Sequence, residues 1–403
     1  MNGKYEIVSN DIPKGEEVDL EFVNENVAKK TLKFHSNFEQ YSETPLVELK
    51  YLAKCLGLKA LFVKDESYRF GLNAFKVLGG SFAIGQYIAD KLGKSMDKLP
   101  YKTLISDEIK KELGELTFIT ATDGNHGRGV AWTAEQLKQK AIVYMPKGSS
   151  QERLKNIRAH GAECEILDMN YDECVRYAND LAEKNGYVMV QDTAWEGYED
   201  IPTWIIQGYI TMAYEAYLKL KEQNRKPTHI FLQAGVGSMA SAVCGFFSSV
   251  YKGKDKPIIT IVEPNKADCL FRTAKANDGK LHFVTGDMDT IMAGLACGEP
   301  CTVAWKILNS YADNFLSVPD DVAAHGMRVL GNPLKGDRQV ISGESGAVTT
   351  GVVSQVMTKE ELKDIKKALK LDENSVVLCI STEGDTDFEH YRKVVWNGLY
   401  SNK

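Results

Sequence analysis

One stretch places an acid, an amide, a histidine and glycines within a few residues: ATDGNHGRGVAW, residues 121–132. Asp123 stands just before the small and polar run at residues 124–127, and two interpretations fit it. The first is a turn residue whose side chain supports the local backbone. The second is a catalytic acid or base. The stretch alone leaves both open.

A second stretch, KDESYRFGLNAFKVLGG (residues 64–80), surrounds Lys76 with apolar and small residues. Loss of solvent in such a setting is expected to lower the pKa of a lysine, which makes its amine a better nucleophile. The alternative is a solvated lysine at the start of a helix. Which of the two holds depends on the other motifs of the chain.

The octapeptide QAGVGSMA (residues 233–240) follows a predicted strand and begins a predicted helix. Its glycines at 235 and 237 would let backbone N–H groups gather around an anion, and the helix N-terminus adds a favourable dipole. The octapeptide lacks the Lys-Ser/Thr pair of a nucleotide-triphosphate loop, and also the third glycine and downstream acid of a dinucleotide fingerprint. A phosphate cradle and an ordinary tight turn both fit it.

Together, the lysine, the turn with an asparagine and the phosphate cradle suggest pyridoxal phosphate. Lys76 would hold the aldehyde as a Schiff base, and the glycine loop would hold the phosphate. Asn125 would hydrogen-bond the 3′ oxygen of the ring, and a hydroxyl side chain would meet the ring nitrogen.

The elements that must position these residues are short apolar runs that alternate with amphipathic helical patterns. We predict strands at residues 60–66, 116–120, 141–146, 163–167, 187–192, 229–233, 258–264 and 375–381. One helix is predicted where Val130, Ala134 and Leu137 share a face, and another after residue 233. This alternation indicates an α/β protein of two lobes, each with a mostly parallel sheet flanked by helices. Residues 1–40 are weakly patterned and are predicted to form an arm that packs elsewhere, for example on a partner subunit.

Composition excludes several classes of function. The net charge of −6 argues against a nucleic-acid partner, which would need a clustered basic face. The absence of a long apolar run and of a secretory signal in residues 1–20 predicts neither a membrane span nor export. The eight cysteines form no Cys-x-x-Cys pair, so we expect free thiols in a reducing cytoplasm and no metal site. The sequence leaves undecided whether Cys269 and Cys297 form a disulfide bond.

The ordered set FK (75–76), GNHG (124–127), AGVGSM (234–239) and SGESGA (342–347) resembles the fold-type-II pyridoxal-phosphate enzymes, the tryptophan synthase β family. The longer strings KDESYRFGLNAFK, TDGNHGRGVAW, YMPKGSSQER, QDTAWEGY, IPTWIIQGY, IMAGLACGEP and ISTEGDTD are similar to those of the diaminopropionate ammonia-lyases. The likeness runs through nearly the whole chain.

The resemblance implies which residues bind the cofactor. Lys76 would be the Schiff-base lysine, Asn125 the partner of the ring oxygen, and Thr382 the partner of the ring nitrogen, with Ser381 as the alternative. Glu344 lies in a loop that faces the cofactor in the family. The phosphate cradle would be Ala234, Gly235, Val236, Gly237, Ser238 and Met239. The predicted large, cofactor-binding domain comprises residues 1–80 and 190–403, and the small domain residues 81–189.

The resemblance also implies a reaction, the elimination of 2,3-diaminopropionate to pyruvate and ammonia, in a cytoplasmic homodimer. Asp123 resembles a second base on the face of the cofactor opposite Lys76, so that Lys76 would serve the L-isomer and Asp123 the D-isomer. Asp192 would hold the cationic β-amine, because a desolvated carboxylate prefers a cation to a neutral hydroxyl. A serine/threonine dehydratase and a β-replacement synthase of the same fold are the alternatives.

Overall fold

The computed structural model describes residues 4–10 and 18–401, and two sheets organise this part of the chain. The strands are β1 (Glu6–Ser9), β2 (Leu46–Glu48), β3 (Ala60–Asp65), β4 (Thr117–Ala121), β5 (Lys140–Met145), β6 (Glu163–Ile166), β7 (Val188–Met189), β8 (His229–Gln233), β9 (Ile258–Pro264), β10 (Asn314–Val318) and β11 (Val376–Ser381). The larger sheet has the order β1-β10-β9-β8-β11-β3-β2, and the smaller has the order β6-β5-β4-β7.

All neighbouring strands are parallel except the two edge strands of the larger sheet, β1 and β2, which are antiparallel to their neighbours. Parallel strands place their carboxyl ends at one edge, which is where α/β proteins bind ligands. The candidate motifs follow such ends: residues 66–76 follow β3, 122–126 follow β4, 234–239 follow β8, and 382–383 follow β11.

Helices connect the strands and cover the sheets. They are α1 (Glu25–His35), α2 (Lys50–Cys55), α3 (Val77–Lys91), α4 (Tyr101–Leu104), α5 (Asp107–Leu113), α6 (Asn125–Gln136), α7 (Gln151–Arg158), α8 (Tyr171–Asn185), α9 (Asp200–Glu222), α10 (Ser238–Val250), α11 (Cys269–Ala276), α12 (Thr302–Tyr311), α13 (Asp320–Gly331), α14 (Glu344–Thr358), α15 (Lys363–Ala368) and α16 (Phe388–Val395). None of them has the length and apolar character that crossing a membrane requires.

The α/β architecture and the eight predicted strands are confirmed, with ends that differ by a few residues. The interpretation of residues 1–40 as an arm that packs elsewhere is wrong for their described part. Helix α1 buries Ala28, Thr31 and Phe34 and packs against α9 of the same chain. The strands of the smaller sheet all lie between residues 117 and 189, and α3 crosses the predicted domain boundary at residue 80.

A buried cluster of charges fixes the segment that leads from β3 to Lys76. Glu215 of α9 accepts hydrogen bonds from Lys64 Nζ at 2.6 Å and from Arg69 Nη2 at 2.7 Å. Arg69 also pairs with Glu66, and all these side chains are buried. Burial acts to raise the pKa of Glu215, but the two cations lower it below the ordinary value of a glutamate.

Glu215→Leu is expected to destabilise the fold by about 3–5 kcal/mol, because it leaves two buried cations short of their counter-ion. Chemical denaturation followed by circular dichroism measures this effect. The matched control is Glu222→Leu on the exposed side of the same helix, where loss of the pair with Lys219 should cost about 0–1 kcal/mol. Equal midpoints for the two variants would contradict the structural role of the cluster.

Candidate active site

A cavity opens at the carboxyl ends of β3, β4, β8 and β11. Lys76, Asp123, Asn125, Asp192, Thr382 and the loop from Ala234 to Met239 all line it. Residues that are separated by up to about three hundred positions in sequence thus meet in one place. Among the predicted site residues, Glu344 is the exception, since it lines an adjacent cavity that Asp123 also borders.

Lys76 and Asp192, which both line the cavity, form an ion pair, with Lys76 Nζ donating to Asp192 Oδ2. Burial acts to lower the pKa of Lys76, but the Asp192 carboxylate outweighs it and raises the pKa above that of an ordinary lysine. The prediction of a lowered pKa is therefore wrong in sign. It counted the lost solvent and missed a partner 116 residues away.

Asp192 is held as an anion. Burial would raise its pKa, yet the Lys76 ammonium beside it lowers the pKa to about 2. Tyr171 donates from its hydroxyl to Asp192 Oδ1 at 3.3 Å, and Gln191 Nε2 donates to the same oxygen at 3.4 Å. A buried carboxylate with these partners is built to hold a cationic nitrogen, and Lys76 Nζ is the one it holds here.

Asp123 lines both this cavity and the adjacent one, and its Oδ2 accepts a hydrogen bond from Arg153 Nη1 at 3.2 Å. Arg153 comes from α7 and is itself buried. The guanidinium fixes one oxygen of the carboxylate, and Asp123 remains part of the cavity lining. This arrangement differs from a turn in which the side chain only caps its own backbone.

The loop between β8 and α10 has the geometry of an anion cradle. A Cβ atom at residue 235 would lie 3.1 Å from Cys297 Sγ, a tight contact that glycine avoids. Gly237 has φ +103° and immediately precedes Ser238, the first residue of α10. No side chain caps this helix, and its first N–H groups therefore remain free for a bound anion.

A polar edge of the cavity is formed by Asn125, Gln233, Thr382 and Glu383. Gln233 Nε2 donates to Thr382 Oγ1 at 3.0 Å, and Thr382 Oγ1 in turn donates its proton to Glu383 Oε2 at 3.4 Å. Gln233 Oε1 is buried and has no hydrogen-bond partner. Asn125 Nδ2 donates to Glu383 Oε2 at 3.4 Å.

Several residues of the site were not predicted from sequence. Glu383 and Arg153 lie inside strings that carry the resemblance, ISTEGDTD and YMPKGSSQER, but nothing in those strings marks them as site residues. Tyr171 begins α8 and shows no signal at all. Glu344 pairs with His390 Nδ1 at 2.5 Å instead of facing the first cavity.

The fold and this site together define an enzyme of the pyridoxal-phosphate class. The family profile described as "Pyridoxal-phosphate dependent enzyme" matches residues 38–383. The residues fit the cofactor, because the cavity joins a lysine, an uncapped helix N-terminus behind a glycine loop and the hydroxyl of Thr382.

Closer relatives narrow the class. A diaminopropionate ammonia-lyase of Salmonella typhimurium is 51% identical over 397 residues, which are 98% of both chains. Two crystal structures of the Escherichia coli diaminopropionate ammonia-lyase are each 48% identical and cover 99% of this chain and 98% of theirs. One, in complex with D-serine, has a TM-score of 0.92, and the other, with an aminoacrylate-PLP azomethine reaction intermediate, has a TM-score of 0.90. This chain belongs to the diaminopropionate ammonia-lyase family.

The glycine loop yields a prediction about cofactor affinity. Gly237→Ala should weaken pyridoxal-phosphate binding by about 10- to 100-fold, because a side chain at this φ costs about 1–3 kcal/mol and the added atom would lie 3.2 Å from Leu308. Absorbance titration of the apoprotein measures this change. Gly253→Ala is the control, since Gly253 also has a positive φ but stands in open space beyond the other end of α10. Equal affinities for the two variants would contradict the cradle.

Proposed function

We propose that this protein catalyses the pyridoxal-phosphate-dependent elimination of D- and L-2,3-diaminopropionate. One molecule of water is consumed, and pyruvate and two molecules of ammonia are formed. The observation that carries the proposal is the pair of carboxylates, Asp123 and Asp192, in one cavity with Lys76. A second carboxylate in the cavity would stabilise a substrate with a cationic β-ammonium group, whereas it would give a neutral β-hydroxyl no comparable stabilisation.

Pyridoxal phosphate, when bound, supplies an electron sink for the charge that develops at the substrate α-carbon. Lys76 carries the cofactor and afterwards removes the α-proton of the L-isomer with its Nζ. Asp123 removes the α-proton of the D-isomer from the opposite face. Asp192 takes the β-ammonium where it now holds the Lys76 ammonium, and orients this group for departure.

The remaining predicted residues hold the cofactor. Backbone amides of the loop from Ala234 to Met239 bind the phosphate, Asn125 binds the ring oxygen, and Thr382 donates to an unprotonated ring nitrogen. Thr382 Oγ1 accepts from Gln233 Nε2 and donates its own proton, here to Glu383 Oε2 at 3.4 Å, and this donor role supports that direction. Glu344 is the exception, because it lines the adjacent cavity. There it pairs with His390, and we assign it an indirect role through that residue.

The broader organisation is also proposed. Residues 1–80 and 190–403 form the large domain, and residues 81–189 form the small one, which contains the four-stranded sheet. Cys269 and Cys297 are free thiols, which supports a cytoplasmic location. The exposed Phe388 and Trp396 of the C-terminal segment support a homodimer that would cover them.

The test is turnover by the holoenzyme with D- and L-2,3-diaminopropionate, L-serine and L-threonine as separate substrates. Two molecules of ammonia per keto acid from both enantiomers, with little product from the hydroxy amino acids, would support the proposal. Activity on L-serine or L-threonine alone would overturn it in favour of a dehydratase. Incorporation of an added thiol or amine into product would overturn it in favour of a β-replacement synthase.

A further inference from the structure

Glu383 connects the two side chains that are proposed to meet the cofactor ring. Its Oε2 accepts from Asn125 Nδ2 and from Thr382 Oγ1, each at 3.4 Å. Its Oε1 accepts from the backbone amide of Gly346 at 2.8 Å. Glu383 is 4% exposed and lines the cofactor cavity, so no bulk water replaces a donor that turns away.

The charges around Glu383 make its ionised form costly. Burial raises its pKa to about 7, and the Gly346 amide opposes this rise. Glu344, at the start of α14, raises it further, Arg153 from α7 lowers it, and Asp123, before α6, raises it. Two acids and one cation from three different elements thus face the carboxyl, and the acids favour its protonated form.

Cofactor binding changes this balance, because Asn125 and Thr382 then turn their protons toward the ring. Glu383 would then keep only one of its three hydrogen-bond donors, and an ionised, buried carboxylate that lacks hydrogen-bond donors is energetically unfavourable. We propose that Glu383 takes up a proton when pyridoxal phosphate binds, so that the loaded site carries a neutral carboxyl between Asn125 and Thr382. This proposal rests on the assignment of these two residues to the cofactor under the proposed function.

The neutral carboxyl has a consequence for the reaction. The cofactor ring takes up electron density as the α-proton leaves, and a buried anion beside the ring would oppose that change. A protonated Glu383 does not oppose it and also gains a proton to donate toward a neighbouring acceptor. Glu383 is therefore a positioning residue, which holds the ring's partners before binding and gives up its charge afterwards.

Proton uptake by Glu383 on cofactor binding predicts how cofactor affinity changes with pH. If the loaded protein binds one more proton than the free protein, cofactor affinity is full below the free-protein pKa of about 7 and falls as pH rises above it. Relative to Glu383→Gln, which has no carboxyl to titrate, the wild-type affinity should fall by about tenfold for each pH unit above 7.

Calorimetric titration of the apoprotein with pyridoxal phosphate tests this inference. Repeating it at pH 8 in buffers of different ionisation enthalpy gives the number of protons exchanged. The wild type should take up roughly one proton more than Glu383→Gln. Proton exchange at other groups, such as Lys76, occurs in both proteins and therefore cancels in the comparison. Glu373→Gln, which removes an exposed carboxylate, should behave as the wild type. Equal proton counts for the wild type and Glu383→Gln would overturn the inference.

A second measurement needs no variant at residue 383. Infrared difference spectra of the wild-type protein, recorded on addition of pyridoxal phosphate at pH 8, should show a new C=O band of a protonated carboxyl. Cofactor binding without that band would overturn the inference and leave the proposed function standing. Failure of the wild type to bind pyridoxal phosphate would overturn both.

Discussion

Lys76→Ala is expected to reduce turnover of both enantiomers of 2,3-diaminopropionate by at least about 1,000-fold. The variant loses the amine that attaches the cofactor and, for the L-isomer, the base that removes the α-proton. Positioned bases alone contribute about 100- to 10,000-fold. Lys76 is the only lysine among the residues described as lining the cavity, so no second amine stands ready to replace it.

The measurement is keto-acid formation by each variant loaded with pyridoxal phosphate, together with the absorption spectrum of the bound cofactor. Lys91→Ala is the matched control, because Lys91 lies exposed at the far end of α3, the helix that follows Lys76. The control should keep wild-type turnover. Full turnover by Lys76→Ala would refute every catalytic interpretation of this site.

Patterning in the sequence predicted eight of the eleven described strands and missed β1, β2 and β10. Several of the predicted strands, such as β8 (HIFLQ) and β11 (VVLCIS), are largely apolar and fully buried, and burial on both faces selects for such runs in parallel sheets. The unpredicted strands β1 and β2 are antiparallel edge strands of four and three residues, too short to show a period. Strand β10 (NFLSV) is fully buried, but its five residues mix apolar and polar types, which hides it.

In the candidate site, local motifs could be predicted from the sequence, whereas pairings between distant residues could not. Motifs that lie within one turn, such as the glycine loop after β8, can be recognised because local backbone geometry requires particular residues there. Pairings across the fold cannot be recognised in this way. Asp192 raises the pKa of Lys76, which was expected to be lowered. Glu383 is recognised as a site residue only from its contacts with Asn125 and Thr382 in the folded chain. Each of these effects depends on a distance that only the folded chain sets.

Asp123→Asn is expected to separate the two enantiomers. Elimination of the D-isomer should fall by about 100- to 10,000-fold, since the variant loses the base on that face. Elimination of the L-isomer should stay within about tenfold, because Lys76 and Asp192 are untouched. Asparagine keeps an oxygen that can accept from Arg153 Nη1, so the turn and its contact at 3.2 Å should persist. Steady-state kcat on each pure enantiomer measures the separation.

Two comparisons make that result decisive. Asp107→Asn, at an exposed acid that begins α5, should leave both rates unchanged. Deuterium exchange at the α-carbon, followed by NMR, should be slowed by Asp123→Asn for the D-isomer and preserved for the L-isomer, since the change removes one proton acceptor. An equal loss on both enantiomers would make Asp123 a structural residue of the turn. A loss confined to the L-isomer would exchange the faces assigned to Asp123 and Lys76, because a base removes only the proton on its own side of the cofactor.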